Sequence, residues 1–453
     1  SRVNSAPCSC HHAGTESFHI GMTLQIQWLS SGEDVVSLSC QDESDEECDN
    51  TITVKTVKQL LTGHIQQPRF RQRLLDSSGI ILADDVEVTP PDTLYLVLMS
   101  LNPSSPKEQA LWFEAAKNAD LPELETYLSA PHDPNIVAER GETALHIAAT
   151  LGSVDCCSLL LEARSDVNHF SLPAFDGASV TALHMASVRG HLKVVELLLQ
   201  GKSEVNKTTN DGDTALHFAT FKGHAEVVRL LLASGADKDI LTTDDSSFTP
   251  LLIACKLAHI DVVECLLEAG ADKDKASSTT GITPLLTASQ KNHLEVVNLL
   301  LAAGADTEKV CTYTGCTALY MATQNDSIEV VRSLIHARAD LDKGSGEASE
   351  VTPLLAAAQK GYVEITRLLL EAGATVDKAS TDESVTTPLL AASHQGNLEI
   401  VQLLVEHGAD YQRARSSDGA TPLSVAYEEG QMQVALFLQG LCCRKRRRCE
   451  GKV

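Results

Sequence analysis

Aromatic residues are scarce: Phe, Tyr and Trp together make up 4% of the 453-residue chain, with only two tryptophans. A core with so few rings must pack through Leu, Val, Ile and Ala, as closely stacked helices do. No apolar run of about 18 residues or more occurs, which excludes a helical membrane span. Basic residues are also in deficit, 36 Lys and Arg against 61 Asp and Glu, for a formal net charge of −25. That balance opposes nonspecific nucleic-acid binding, which needs a basic footprint. It suits basic protein partners and keeps a large surface soluble. Glycine-rich phosphate loops, nucleophile elbows and kinase phrases are missing, so no catalytic residue, substrate or cofactor is expected. The chain opens at Ser1 rather than Met, which leaves the lack of a leader uninformative.

The thirteen cysteines are an odd number. Cys156, Cys157, Cys255 and Cys265 fall inside helical apolar patterns, where cysteine acts as a small hydrophobe. The reading is a reduced, intracellular chain, cytoplasmic with the nucleus as an alternative. Cys8, Cys10, His11 and His12 could offer soft metal ligands. The segment lacks a second pair at zinc-finger spacing, so no metal site is expected.

The strongest positive signal is a ladder of threonines. Thr143, Thr181, Thr214, Thr249, Thr283, Thr317, Thr352, Thr387 and Thr421 each open a short phrase, Thr-Ala/Pro-Leu-His/Leu/Tyr in most copies, at intervals of 33 to 38 residues. A fixed period of this size marks a repeat solenoid. Thr is a good helix N-cap and Pro suits the next position. Nine residues on stand Gly152, Gly190, Gly223, Gly361, Gly396 and Gly430, which can stop a helix in the left-handed conformation. Ala258, Asn292 and Asp326 replace glycine there in three repeats. A second amphipathic stretch follows, as in His293 to Leu301, and then an extended finger. One such unit cannot bury its apolar face alone, so neighbours must stack.

The phrases Thr214-Ala215-Leu216-His217 and Gly223-His224-Ala225-Glu226-Val227-Val228 resemble the ankyrin-repeat signature, which recurs nine times across residues 109–440. Residues 109–135 resemble a degenerate N-terminal cap repeat without the Thr phrase. The resemblance implies that His146, His184 and His217 hydrogen-bond between repeats. Later repeats place Leu252, Leu286, Tyr320, Leu355 and Leu390 there, and should rely more on apolar packing. The interval from Thr143 to Thr181 holds an enlarged finger around His169 to Pro173.

Ahead of the repeats, Thr23 to Leu29 alternates as a half-buried strand, and Val35 to Ser39 can return as its hairpin partner. A helical stretch, Val54 to Leu61, and a closing strand, Thr93 to Leu98, complete the segment. Gln72-Arg73-Leu74-Leu75 and Thr93-Leu94-Tyr95-Leu96-Val97-Leu98 resemble the ubiquitin-like family, which implies a β-grasp fold. The acidic stretch Asp42 to Glu47 is an insertion, expected as a solvated loop. No Gly-Gly follows Leu98, so the module should act as an embedded recognition domain. The family's contact patch maps to Leu75, Tyr95 and Val97, which could equally be ordinary strand surface.

The expected fold class is mostly α: an ankyrin-repeat solenoid of about ten helix-turn-helix repeats, preceded by a small α+β ubiquitin-like β-grasp domain. The expected boundaries are a disordered tail at 1–20, the ubiquitin-like domain at 21–101, a linker at 102–108, the solenoid at 109–440 and a basic tail at 441–453. In the ankyrin family the fingers and first helices line a groove. Position seven after each Thr should face it, at Phe221, Lys256, Gln290, Gln324, Gln359 and His394. Aromatic side chains often anchor interfaces, which adds Phe248, Tyr313 and Tyr320; Phe221 could instead pack between repeats. The functional expectation is a non-enzymatic, monomeric adaptor: the groove binds one protein and the ubiquitin-like module recruits a second, in ubiquitin signalling. The tail Leu441-Cys442-Cys443-Arg444-Lys445-Arg446-Arg447-Arg448 leaves three readings open. It is a solvated helix cap, a nuclear-import or acidic-partner patch, or an acylated, basic membrane anchor that would make the chain a membrane-associated scaffold.

Overall fold

The computed structural model describes residues 18–29, 34–42, 52–88, 93–101, 103–130, 132–171, 179–346, 350–381, 385–416 and 418–450, without the side chains of 18–23, 36–42 and 444–450. The expected metal-poor Cys8–His12 cluster, most of the acidic insertion and part of the enlarged finger lie outside these residues. The chain divides into two units, residues 1–174 with 200–203, and residues 175–199 with 204–453.

The first unit opens with β1 (Phe18–Trp28), β2 (Asp34–Asp42), β3 (Ile52–Thr53), α1 (Val54–Ile65), β4 (Gln72–Leu75), β5 (Glu87–Val88) and β6 (Thr93–Leu98). The main sheet runs β2-β1-β6-β4, with β1 and β6 paired in parallel and the other neighbours antiparallel. β1 starts at Phe18, ahead of the expected boundary at 21. Alternation along β1 sends Leu24 and Ile26 inward, where they meet Val54, Val57 and Leu61 of α1 and Leu74, Leu94 and Leu96 of the sheet. Thr53 caps α1, accepting from the Thr56 N–H at 3.3 Å.

Two helix pairs follow, α2 (Pro106–Asn118) with α3 (Leu121–Ser129), and α4 (Ala144–Leu151) with α5 (Val154–Glu162). α2 begins inside the expected linker because Ser105, Pro106 and Glu108 make a capping box with Pro at the first helical position. Trp112 and Tyr127 stack at 4.4 Å between ring centroids and tie α2 to α3.

Arg69, 1% exposed, joins the α+β module to these pairs. Its Nη1 donates to Asp84 at 2.8 Å, its Nη2 to Glu125 of α3 at 2.7 Å and its Nε to Glu162 of α5 at 2.7 Å. Burial opposes its charge, yet Glu125 and Glu162 outweigh burial and raise its pKa, and Arg69 in turn lowers that of Glu125. Lys58 of α1 donates to Asp84 at 2.5 Å, and Arg73 to the Ser129 carbonyl. The module is therefore docked on the first helix pairs by these contacts and not held by the chain connection alone.

The second unit holds eight described helix pairs, from Ala182–Arg189 with Leu192–Gln200 to Pro422–Glu428 with Met432–Glu450. First helices pack on first helices and second on second, in chain order. Every ladder threonine in it is an N-cap. Gly190, Gly223, Gly361 and Gly396 are left-handed C-caps, and Ala258, Asn292 and Asp326 adopt the same region at φ 56°, 58° and 54°.

Part of the acidic surplus has a structural use. In successive finger turns a side-chain oxygen accepts from the next repeat's backbone: Asn206 from Asp237 N at 2.7 Å, Asp239 from Asp272 N at 2.8 Å, Asp274 from Asp306 N at 2.9 Å, Glu308 from Asp340 N at 2.9 Å and Asp342 from Thr375 N at 2.9 Å. Backbone donors that would lack partners at the turns are satisfied by these side chains.

Candidate partner-binding groove

The groove is framed by joints between repeats, and histidines make many of them. In the His-bearing phrases of the second unit, the Thr181 and Thr214 hydroxyls lie 2.8 and 2.9 Å from Nδ1 of His184 and His217. The same Nδ1 atoms accept the Thr backbone N–H at 3.0 and 3.1 Å, which assigns the imidazole proton to Nε2. Nε2 then donates forward, from His184 to the Lys207 carbonyl at 3.0 Å and from His217 to the Phe248 carbonyl at 3.3 Å. Burial lowers the His217 pKa to about 4, so this neutral form persists. In the Leu-, Tyr- and Ser-bearing phrases the Thr hydroxyl instead accepts from a backbone N–H, as Thr352 does from Leu355 at 3.2 Å. Leu252, Leu286, Leu355 and Leu390 are buried there.

A second set of histidines opens the second helices and reaches back. His224 Nε2 meets the Val188 carbonyl at 3.3 Å, His259 the Phe221 carbonyl at 3.2 Å and His293 the Lys256 carbonyl at 3.3 Å. Carbonyls near the end of a helix lack intrahelical partners, and these bonds supply them. The bonds hold the backbone at position seven, the position expected to face the groove.

Between two adjacent repeats the structure brings Phe221, Phe248 and Lys256 together around a cleft of about 250 Å³, with Asp213 and Asp244 on its wall. Phe221 is 52% exposed, so it does not pack away between repeats. Lys256 Nζ lies 4.8 Å over the Phe248 ring, and Lys222 Nζ 5.1 Å over that of Phe221. Asp244 accepts from Thr242 Oγ1 at 2.5 Å, from Ser247 N at 3.1 Å and from Ser246 Oγ. Burial pushes the Asp213 carboxyl up to about 6, helped by the Asp244 and Asp211 charges. Asp213 is not among the expected site residues: the position before the ladder Thr is apolar at Val180, Phe248, Ile282, Val351 and Ala420 but also acidic at Glu142, so the repeat pattern alone does not single it out.

The remaining expected residues lie apart from this cleft, in later repeats. Gln290, Gln359 and His394 are exposed and Gln324 is half-buried. Gln324 Nε2 donates to the Tyr320 hydroxyl at 2.9 Å, so these two hold each other. His394 Nε2 is 3.4 Å from Glu429. Tyr313 stands 88% exposed on a finger, beside a separate cleft that Lys343 and Lys378 also line.

A family model for ankyrin repeats (3 copies) matches residues 112–209, 200–277, 271–345 and 354–446. The chain belongs to the ankyrin-repeat family. A search of curated proteins found no match. Ankyrin repeats mediate binding to protein partners, and the groove described above is formed by their fingers and first helices.

In the α+β module ahead of the ankyrin repeats, Leu75 pairs with Tyr95 and Arg73 with Val97 across β4 and β6. Leu75, Tyr95 and Val97 are half-buried and share the sheet face opposite Leu74, Leu94 and Leu96. Burial raises the Cys157 thiol to about 12 and pushes that of Cys255 up as well, which makes these two poor nucleophiles. Among the described residues no group of His, Cys, Asp or Glu could hold a metal, and no helix is long and apolar enough to cross a membrane.

Proposed function

We propose that this ankyrin-repeat protein is a non-enzymatic adaptor whose groove holds one protein while the N-terminal module recruits another. The observation that carries the reading is the cleft at Phe221, Phe248 and Lys256, where exposed aromatic surface borders half-buried charge. Interfaces draw most of their energy from such aromatic anchors set among polar groups. Ubiquitin-like identity for the module is supported by its parallel β1–β6 centre, its single packed helix and the shared face of Leu75, Tyr95 and Val97. Ubiquitin signalling is then the setting, inside the cell, which accords with the buried free thiols. Quantitative affinity purification of the full chain tests both halves. Phe221→Ser should deplete one set of proteins and Leu75→Ala/Val97→Ala a different set. Identical protein sets from all three forms would sink the reading.

A second reading, a membrane-associated scaffold, has one observation in its favour. Leu436 is 59% exposed at a helix position where earlier ankyrin repeats carry Arg229, Asn298 and Arg332. Met432 and Cys443 are exposed on the same helix, which runs on through Arg444–Arg448 to Glu450. A hydroxylamine-sensitive lipid label that disappears in Cys442→Ser/Cys443→Ser would establish it, and a wild-type chain without label would dismiss it.

A further inference from the structure

We infer that the cleft between Phe221 and Phe248 is a subsite for one basic side chain of the partner, arginine above all, with Asp213 as its counter-ion. The inference rests on the groove reading and names what the groove recognises. The cleft volume of about 250 Å³ suits one side chain of a docked peptide.

The two carboxylates on the wall are not equivalent. Asp244 is saturated by Thr242, Ser246 and Ser247, which hold its pKa below the ordinary value. Asp213 is tied only through its backbone, its N–H donating to Thr209 Oγ1 at 3.1 Å and its carbonyl accepting from Thr209 N at 2.8 Å. Among the described residues no hydrogen bond or ion pair reaches its carboxylate, although it is half-buried. A carboxylate in that setting is held at a cost, which an incoming cation relieves. Lys256, on the same cleft, forms no ion pair among the described residues and lies over the Phe248 ring. That placement shows that the aromatic wall accepts a cation. A guanidinium can stack on a ring and present two N–H groups to one carboxylate, which an ammonium cannot. The chain's net charge of −25 favours a basic partner over the longer range.

The charged groups around Asp213 are Asp211 and Asp244, which raise its pKa, and Lys256, which shares the cleft. Binding of a cation needs the ionised carboxylate, so affinity should fall as pH drops from 7 to 5.

The test titrates Nα-acetyl-arginine N-methylamide into the full chain, read by saturation-transfer NMR, with the glutamate analogue as the anionic control. Saturable binding is expected, weakened about tenfold or more by Asp213→Asn, which corresponds to losing one ion pair. Asp245→Asn, an exposed charge in the next finger beside Asp244, should leave it unchanged. Asp213→Asn should melt no lower than wild type at pH 8, because it removes a disfavoured buried charge, so lost binding is not lost fold. Equal binding by Asp213→Asn, or equal binding of the glutamate analogue, overturns the subsite. If Phe221→Ser still abolishes partner binding in that case, the groove reading stands and only the arginine assignment falls.

Discussion

At the scale of the residue, His217 illustrates how one side chain serves the joint between repeats and sets a pH limit on it. Its Nδ1 faces Thr214 and its Nε2 the Phe248 carbonyl, an arrangement that exists only for the neutral ring. An unfolded histidine titrates near 6.5, whereas burial lowers this one to about 4. Between those values the unfolded state binds more protons, so stability rises with pH there. The contribution is fully present above about 6.5 and is lost as pH falls toward 4. Asp213, raised to about 6, works in the opposite sense between its ordinary 3.8 and 6, so the wild-type slope combines both. His217→Leu, which copies the later repeats, isolates the histidine. We predict a loss of about 1–2 kcal/mol at pH 7.5, where the Phe248 carbonyl loses its donor, and a smaller difference at pH 5. Urea midpoints at the two pH values check this; a difference that does not shrink at pH 5 contradicts it.

At the scale of the element, each repeat is bounded by a capping threonine and a left-handed stop. Thr352 accepts from Leu355 N at 3.2 Å, and Thr352→Ala should cost about 1 kcal/mol in a denaturant melt. Ala258 occupies the stop at φ 56°, where its Cβ is disfavoured. Ala258→Gly should therefore stabilise the protein by about 1 kcal/mol, an unusual sign for introducing glycine. A fall in melting temperature would show that the local backbone is not the deciding factor. These elements could be read from the sequence because each signal reports a local need: a donor to cap, a φ to reach, a face to bury. The first helix of the cap repeat starts three residues before the expected boundary at 109, because its capping signals Ser105, Pro106 and Glu108 lie ahead of the apolar pattern.

At the scale of the whole molecule, what escaped the sequence is what joins distant parts. The partners of Arg69 lie 15, 56 and 93 residues away, and no local pattern marks them. The cleft is similar: Phe221 and Lys256 follow from the repeat period, but Asp213 matters only because burial and two neighbouring carboxylates act on it. Arg69→Ala would leave Asp84, Glu125 and Glu162 around an empty site. We predict a loss of about 2–3 kcal/mol, below that of a fully buried broken pair because Asp84, Glu125 and Glu162 are partly exposed and Lys58 and Lys55 still face the first two. Arg69→Lys should not rescue it, because three separate nitrogens each hold one carboxylate. Hydrogen exchange in α1 and α3 should accelerate in both variants; unchanged protection would mean that apolar packing alone docks the module.

The proposed binding surface is the finger-and-first-helix side of the repeats. Site-specific photocrosslinking in cells tests it most directly, with a benzophenone amino acid placed in turn at Phe221, Lys256 and Gln290, and at Arg229 and Asn298 on the second helices. Discrete protein crosslinks are expected from the first three positions and none from the other two. Crosslinks from Arg229 and Asn298 alone would contradict it.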